Sequence, residues 1–236
     1  MDYRDFKMGH TQKEFWFKAK NDLTQSLMER VCGGKKGLKI LNLGAGIGDD
    51  LEILNKFGAS YVVDLDKEAL SIIPDGLCVE KKLGDAQALP YEDDFFDVVI
   101  SFNVFEHVKD DYKAVSEIYR VLKPSGVLVF MVPAFQCLFS SHDKALEHYR
   151  RYSRKDIKNL LSLFQHSTIF FWNSILFVPM AITRLIRKNS SPKVDQTNFP
   201  NWLNALFYYL LSVDRFFISQ NMAMPFGLSL VGICRK

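Results

Sequence analysis

The spacing of apolar positions changes repeatedly along the chain. From Phe15 to Val31 they recur at near-helical intervals (Phe15, Trp16, Ala19, Leu23, Leu27, Val31). That spacing predicts a helix over residues 1 to about 30, ended by Gly33, Gly34 and Gly37. Residues 38–43 are a short apolar strand running directly into Gly44-Ala45-Gly46-Ile47-Gly48. Residues 49–57 then predict a helix stopped by Gly58, residues 60–63 a second strand closing on Asp64, and residues 67–73 a helix stopped by Pro74. A third short strand is expected at 78–82. The uninterrupted apolar run 96–102 has the look of a strand buried on both faces. A helix at 110–122, closed by Lys123-Pro124-Ser125-Gly126, leads to a fifth strand at 127–132.

Strand and helix alternating in this way predict an α/β fold, with a parallel sheet covered by helices on both faces. Residues 134–165 break the pattern: they are polar, basic and rich in histidine, and are expected to form an insertion over the carboxyl edge of the sheet. The last two strands are expected at 169–172 and 228–234. One domain of 236 residues accommodates all of this, divided as 1–37 (a helical lid), 38–133 (a ligand-binding core), 134–165 (a substrate-side insertion) and 166–236 (closing strands and helices).

Composition narrows the classes. Apolar residues make up 48% of the chain and charged residues 24%, ordinary values for a globular protein. A net charge of +3, spread without a basic stripe, gives no reason to expect a nucleic-acid partner. Cys32, Cys78, Cys137 and Cys234 are scattered with no CxxC pair, so reduced thiols in a cytoplasmic setting are expected and no metal site. Two apolar stretches, 167–183 and 199–213, fall short of the roughly 20 residues that a spanning helix needs. They are read as buried elements, with peripheral membrane contact as the competing reading.

The turn at 44–48 carries the first chemistry. Glycines between a strand and a helix let the backbone approach a ligand closely, and the helix start offers N–H groups. An acid about 20 residues on, ending the second strand, can bind both hydroxyls of a ribose. Asp64 stands in that place, with Asp66 as a competitor past the strand. The glycine spacing is not G-x-G-x-x-G, and no Gly-Lys-Ser/Thr follows, so neither a dinucleotide fold nor a phosphate-binding loop is expected.

LNLGAGIGDDL, VVDLDKEAL, GDAQALPYEDDFFDVVISFNVFEHV and YRVLKPSGVLVFMVP resemble, in order and spacing, the successive motifs of class I S-adenosylmethionine-dependent methyltransferases of the type 11 kind. The resemblance covers residues 38–133. It implies a Rossmann-like sheet of seven strands, mostly parallel, with an α-helical insertion after strand 5, and S-adenosyl-L-methionine as cofactor. It places Gly44, Ala45 and Gly46 beneath the methionine part, Asp64 on the ribose hydroxyls, and Leu65 against the adenine. Asp85, Ala86 and Gln87 then surround the adenine edge, and Asn103 lies near the methionine moiety and the acceptor. A turn or cap is the plainer role for Asp85 and Asn103, and a helix start for Glu106 and His107. Asn42 departs from the family, which usually has an acid there.

The sulfonium of this cofactor is already activated, so alignment of nucleophile, methyl and sulfur is the main demand. A base is needed only for a hydroxyl or a protonated amine. His142, in Ser141-His142-Asp143, is the candidate base. His148, Arg150, Arg151 and Tyr152 suit an anionic group on the acceptor, against a plainer role in pairing with Asp143 and Glu147. Trp16 and Lys20, in a segment spanning 10–20, are expected to cover the cofactor and meet its carboxylate. The acceptor is expected to be a small or lipid-linked, glycan-type molecule methylated on O or N. A methyltransferase-like protein that binds a nucleoside without catalysis is the alternative.

Overall fold

The computed structural model describes residues 15–192 and 199–236. Residues 1–14 of the expected first helix and lid lie outside the described residues. The helix that is described, α1 (Phe15–Cys32), ends at the predicted glycines.

Five strands follow one another with helices between them, save a loop between the third and fourth: β1 (Leu38–Leu43), β2 (Gly58–Asp64), β3 (Glu80–Leu83), β4 (Phe96–Phe102) and β5 (Leu122–Pro133). With β6 (His166–Trp172) and β7 (Ser229–Arg235) they form one seven-stranded sheet in the order β3-β2-β1-β4-β5-β7-β6. The β1 to β5 pairs are parallel, while β7 runs antiparallel to both of its neighbours. This is the Rossmann-like, mostly parallel sheet that the motifs implied.

Alternation along each strand builds two cores, one on each face. Ile40, Val98, Ile100, Val129 and Met131 face α1. Leu41, Leu43, Val99, Leu128 and Phe130 face the other way, onto α4 (Asp111–Val121) and the insertion. Within the described part of the expected lid segment, Leu23, Leu27 and Met28 of α1 are fully buried against the sheet.

The largest differences from the sequence reading are these. The helix expected over 49–57 shrinks to α2 (Leu51–Leu54), because Gly58 already pairs with Leu38. A Cβ at Gly58 would fall 2.0 Å from the Leu38 carbonyl oxygen, so only glycine lets the strand begin there. Strand β5 starts at Leu122, which pairs with Phe96; the turn-like Lys123-Pro124-Ser125-Gly126 is a register shift within it. The apolar stretch 167–183 is split between β6 and α7 (Phe177–Ile186), and the stretch 199–213 lies in α8 (Asn201–Ser219). Among the described residues no helix is long and apolar enough to cross a membrane.

The insertion holds α5 (Ser141–Ala145) and α6 (Arg154–Leu160). The remaining helix, α3 (Lys67–Ile72), follows β2 and is capped by the Asp66 side chain, which accepts from the amides of Glu68 and Ala69. Strand order reverses between β2-β1 and β1-β4. In open α/β sheets the crevice at such a reversal, beyond the carboxyl ends of the strands, is where ligands bind.

Candidate active site

Strand β1 delivers the glycine turn to that crevice. Gly44 has φ 68° and Gly46 φ 54°, a region that side chains disfavour. A Cβ on Gly44 would lie 2.4 Å from Cγ2 of Val104, so the turn is pressed against the residues that follow β4. The Gly46 amide donates to Oδ2 of Asp64 at 2.8 Å, and the Asp66 amide donates to Oδ1 at 2.9 Å. Asp66 is thus committed to capping α3, and Asp64 is the acid tied to the turn.

A cavity of about 1150 Å³ opens over this turn. Gly44, Gly46, Asp64, Leu65, Ala86 and Asn103 line it, together with Asn42 and Gly84. Leu65 is 67% exposed, an apolar side chain presented to whatever occupies the space. Asn103 adopts φ 54° while its amide donates to Met131 O, which turns the chain sharply at the end of β4. Ala45 is buried beneath the turn, among Leu51, Val62 and Leu70. Asp85 and Gln87 do not border the cavity. The Asp85 carboxylate accepts from the Gln87 amide and side chain, and so shapes the loop that presents Ala86.

The residues present fit an adenosyl sulfonium cofactor. Asn42 is 3% exposed and its Nδ2 has no protein partner, a buried donor at the cavity wall next to the glycines. An exposed apolar Leu65 one residue after a positioned carboxylate suits a base stacked beside a sugar.

Lys20 does not reach out alone. It is 2% exposed and forms ion pairs with Asp49 at 2.9 Å and Asp50 at 3.2 Å, fastening α1 to the segment before α2. Burial disfavours its charge, but the two carboxylates outweigh burial and raise its pKa. Trp16 lines the cavity and packs on Trp172, with ring centroids 5.8 Å apart.

The insertion supplies the opposite wall. His142, His148 and Arg151 line the cavity. Burial, reinforced by the Arg184 and Arg151 cations, pushes His142 well below the ordinary imidazole value, so it is neutral at pH 7. Asp143, fully buried, organises this wall: Arg151 Nε donates to it at 2.7 Å, His148 Nδ1 lies 3.0 Å away, and the Ser140 amide donates at 2.9 Å. Burial alone would raise the Asp143 carboxyl, but the His148 hydrogen bond and the Arg151 cation outweigh it and hold its pKa well below the usual carboxylate range.

Arg150 and Tyr152 alternate to the far side and do not border the main cavity. The Tyr152 hydroxyl donates to Asp111 at 2.8 Å and Arg150 pairs with the same carboxylate at 2.9 Å, in a small separate cleft. Of the four residues expected to meet the acceptor, the structure brings His148 and Arg151 to the cavity and places the other two behind it.

Sequence reasoning missed one wall. Leu176, Pro179, Met180, Arg184, Phe199 and Phe207 line the cavity from α7 and the start of α8. They lie far in sequence from the glycine turn, and no motif marks them.

The family model described as "Methyltransferase domain" matches residues 41–130. A probable S-adenosylmethionine-dependent methyltransferase of Mycolicibacterium smegmatis is 27% identical over 165 residues, covering 65% of this chain and 60% of that protein. Phosphoethanolamine N-methyltransferase 2 of Caenorhabditis elegans is 30% identical over 151 residues, 60% of this chain and 35% of that one. The chain thus spans 35–60% of the length of these curated relatives. A solved S-adenosylmethionine-dependent methyltransferase from Archaeoglobus fulgidus shares the fold, with a TM-score of 0.57 and 17% identity over 92% of this chain and 94% of that one. Residues 41–130 thus match the methyltransferase domain, and the chain shares the fold of a solved S-adenosylmethionine-dependent methyltransferase.

Proposed function

We propose that this protein transfers the methyl group of S-adenosyl-L-methionine to an O or N atom of a small or lipid-linked acceptor. The observation that carries the reading is the pairing of Asp64 with the Gly46 amide at the rim of the 1150 Å³ cavity. That volume exceeds the roughly 300–1,000 Å³ of ordinary ligand pockets, room for a cofactor and an acceptor together.

The cofactor supplies an electrophilic methyl on sulfur. Asp64 and Leu65 would hold its sugar and base, and the turn at Gly44 would accept its amino-acid part. Asn103 and His142 also line the cavity and are assigned here to the acceptor. His142, neutral at pH 7, receives the proton of an acceptor hydroxyl or ammonium.

The α7–α8 wall supports an apolar acceptor. Phe199, Phe207, Leu176 and Met180 border the cavity. On the outer side, Val178, Ile182, Leu185, Ile186 and Trp202 are more than half exposed, beside Arg187 and Lys188. Apolar side chains among cations suit the surface of an anionic membrane, from which a lipid-linked acceptor would be taken.

Tritiated-methyl transfer from S-adenosylmethionine into a fractionated lysate tests the reading. Label is expected in the lipid or small-molecule pool. Label confined to protein or nucleic acid overturns the acceptor class, and absence of label with intact cofactor binding overturns the transfer itself.

A further inference from the structure

One cluster at the cavity brings a carboxylate together with two imidazoles. Glu106 and His107 sit in the short 3-10 turn after β4, and His148 comes from the insertion more than 40 residues later. A ligating atom from each, one carboxylate oxygen and two imidazole nitrogens, falls within 4.8 Å of the others. All three residues line the main cavity.

The backbone fixes this meeting. The Tyr149 amide donates to the Glu106 carbonyl at 2.8 Å, which lays the insertion on the turn after β4. The His107 and His148 rings then meet edge to face, with centroids 4.6 Å apart. Glu106 is 1% exposed, so its carboxyl group is a buried oxygen ligand beside two imidazoles.

His148 is also oriented from behind. Its Nδ1 lies 3.0 Å from Oδ1 of Asp143, a carboxylate that Arg151 also holds. A carboxylate only accepts, so Nδ1 carries a proton, and Nε2 is the nitrogen left to meet a metal ion. This carboxylate–histidine arrangement is the one that commonly orients metal-binding imidazoles.

We propose that Glu106, His107 and His148 bind a divalent first-row transition metal, with an open coordination position facing the cavity for an oxygen of the acceptor. Two imidazoles and one carboxylate suit zinc, cobalt, nickel or iron(II) better than magnesium or calcium. Three protein ligands beside a cavity match the open pattern of substrate-binding metal sites, whereas structural sites close with four. With metal–ligand bonds of about 2.0–2.1 Å, tetrahedral ligand atoms stand about 3.3 Å apart, so small side-chain rotations close the site from its 4.8 Å span. The oxygen-binding role rests on the methyl-transfer reading; the metal site does not.

Cobalt(II) is the probe. Chelator-stripped full-length protein, without S-adenosylmethionine, is titrated with Co²⁺ and its visible ligand-field absorption followed. A band saturating at one metal per chain is expected. In His107→Asn and His148→Asn the Co²⁺ affinity is expected to fall more than about tenfold. A cooperative thermal unfolding transition shows that each variant is folded. Paramagnetic shifts of the His107 and His148 ring protons in the wild-type Co²⁺ protein provide a reading that needs no variant. Acetohydroxamate, an oxygen donor, is expected to change the band if a position is open. Absence of a stoichiometric band, or an equal band in the folded double variant, overturns the metal site. A band unmoved by acetohydroxamate overturns the open position. Failure of S-adenosylmethionine to bind leaves these readings intact and counts only against the methyl-transfer reading.

Discussion

The carboxylate of Asp64 accepts a 2.8 Å hydrogen bond from the backbone amide of Gly46, joining the end of β2 to the glycine turn that follows β1. One group therefore does two things: it fixes the path of the turn and stands at the cavity rim. Asp64→Ala removes both. Hydrogen bonds to a charged group contribute about 1.5–3 kcal/mol each, so S-adenosylmethionine affinity is expected to fall about 10- to 150-fold. Asp64→Asn keeps an acceptor for Gly46 and should lose less. Titration calorimetry checks both, and affinity unchanged in Asp64→Ala would reject the sugar-binding role.

Gly44 tests the turn by shape rather than charge. Its φ of 68° costs an L side chain about 1–2 kcal/mol, and an added Cβ would meet Val104 at 2.4 Å. Gly44→Ala is expected to lower both thermal stability and cofactor affinity. The double variant with Val104→Ala removes the clash and keeps the backbone strain, so it should recover part of the stability. No recovery would show that Val104 is not what the turn is pressed against.

The glycine turn and its link to Asp64 were legible in the sequence because these residues are local, whereas Asp85 and Gln87, expected at the adenine edge, do not border the cavity. Strand, glycine turn and strand-ending acid lie within about 25 positions, and each has a backbone reason to be what it is. Asp66 was set past the strand by the sequence, and the structure gives it a role of its own, capping α3. The acceptor half was legible in part. Arg150-Arg151-Tyr152 reads as a uniform polar cluster, yet alternation sends Arg151 to Asp143 and its neighbours to Asp111. The α7–α8 wall was not legible, since apolar side chains at helical spacing look the same whether they line a cavity or fill a core. The Glu106–His107–His148 cluster was hidden for a different reason: its members meet only because the insertion folds back onto the turn after β4.

His142 offers a kinetic test. Burial depresses its pKa well below the ordinary imidazole value, so it is unprotonated across the neutral range and ready to receive a proton. His142→Ala is expected to lower kcat by about 10²–10⁴-fold if proton removal is part of the reaction. Cofactor affinity should stay within a few-fold, because the residue lies on the insertion wall and not at the glycine turn. Full turnover in the variant would exclude it as the base.

Glu117 gives a prediction about acid stability that is independent of the site. Its carboxylate accepts from the Leu89 amide at 2.9 Å and from Arg120 Nε and a terminal guanidinium nitrogen, both at 2.8 Å, tying α4 to the loop before β4. The Arg120 hydrogen bond outweighs burial and lowers the Glu117 pKa below its ordinary 4.5. A depressed folded pKa means that the folded state favours the ionised form. The stabilisation is therefore complete above pH 4.5 and is lost as pH falls through the lower folded value. Glu117→Gln removes the charge at every pH, so the variant should be less stable than wild type at pH 7 and the difference should shrink on acidification below 4.5. Urea unfolding midpoints measured across that interval check it, and a difference independent of pH would show that the Glu117 charge contributes nothing to the fold.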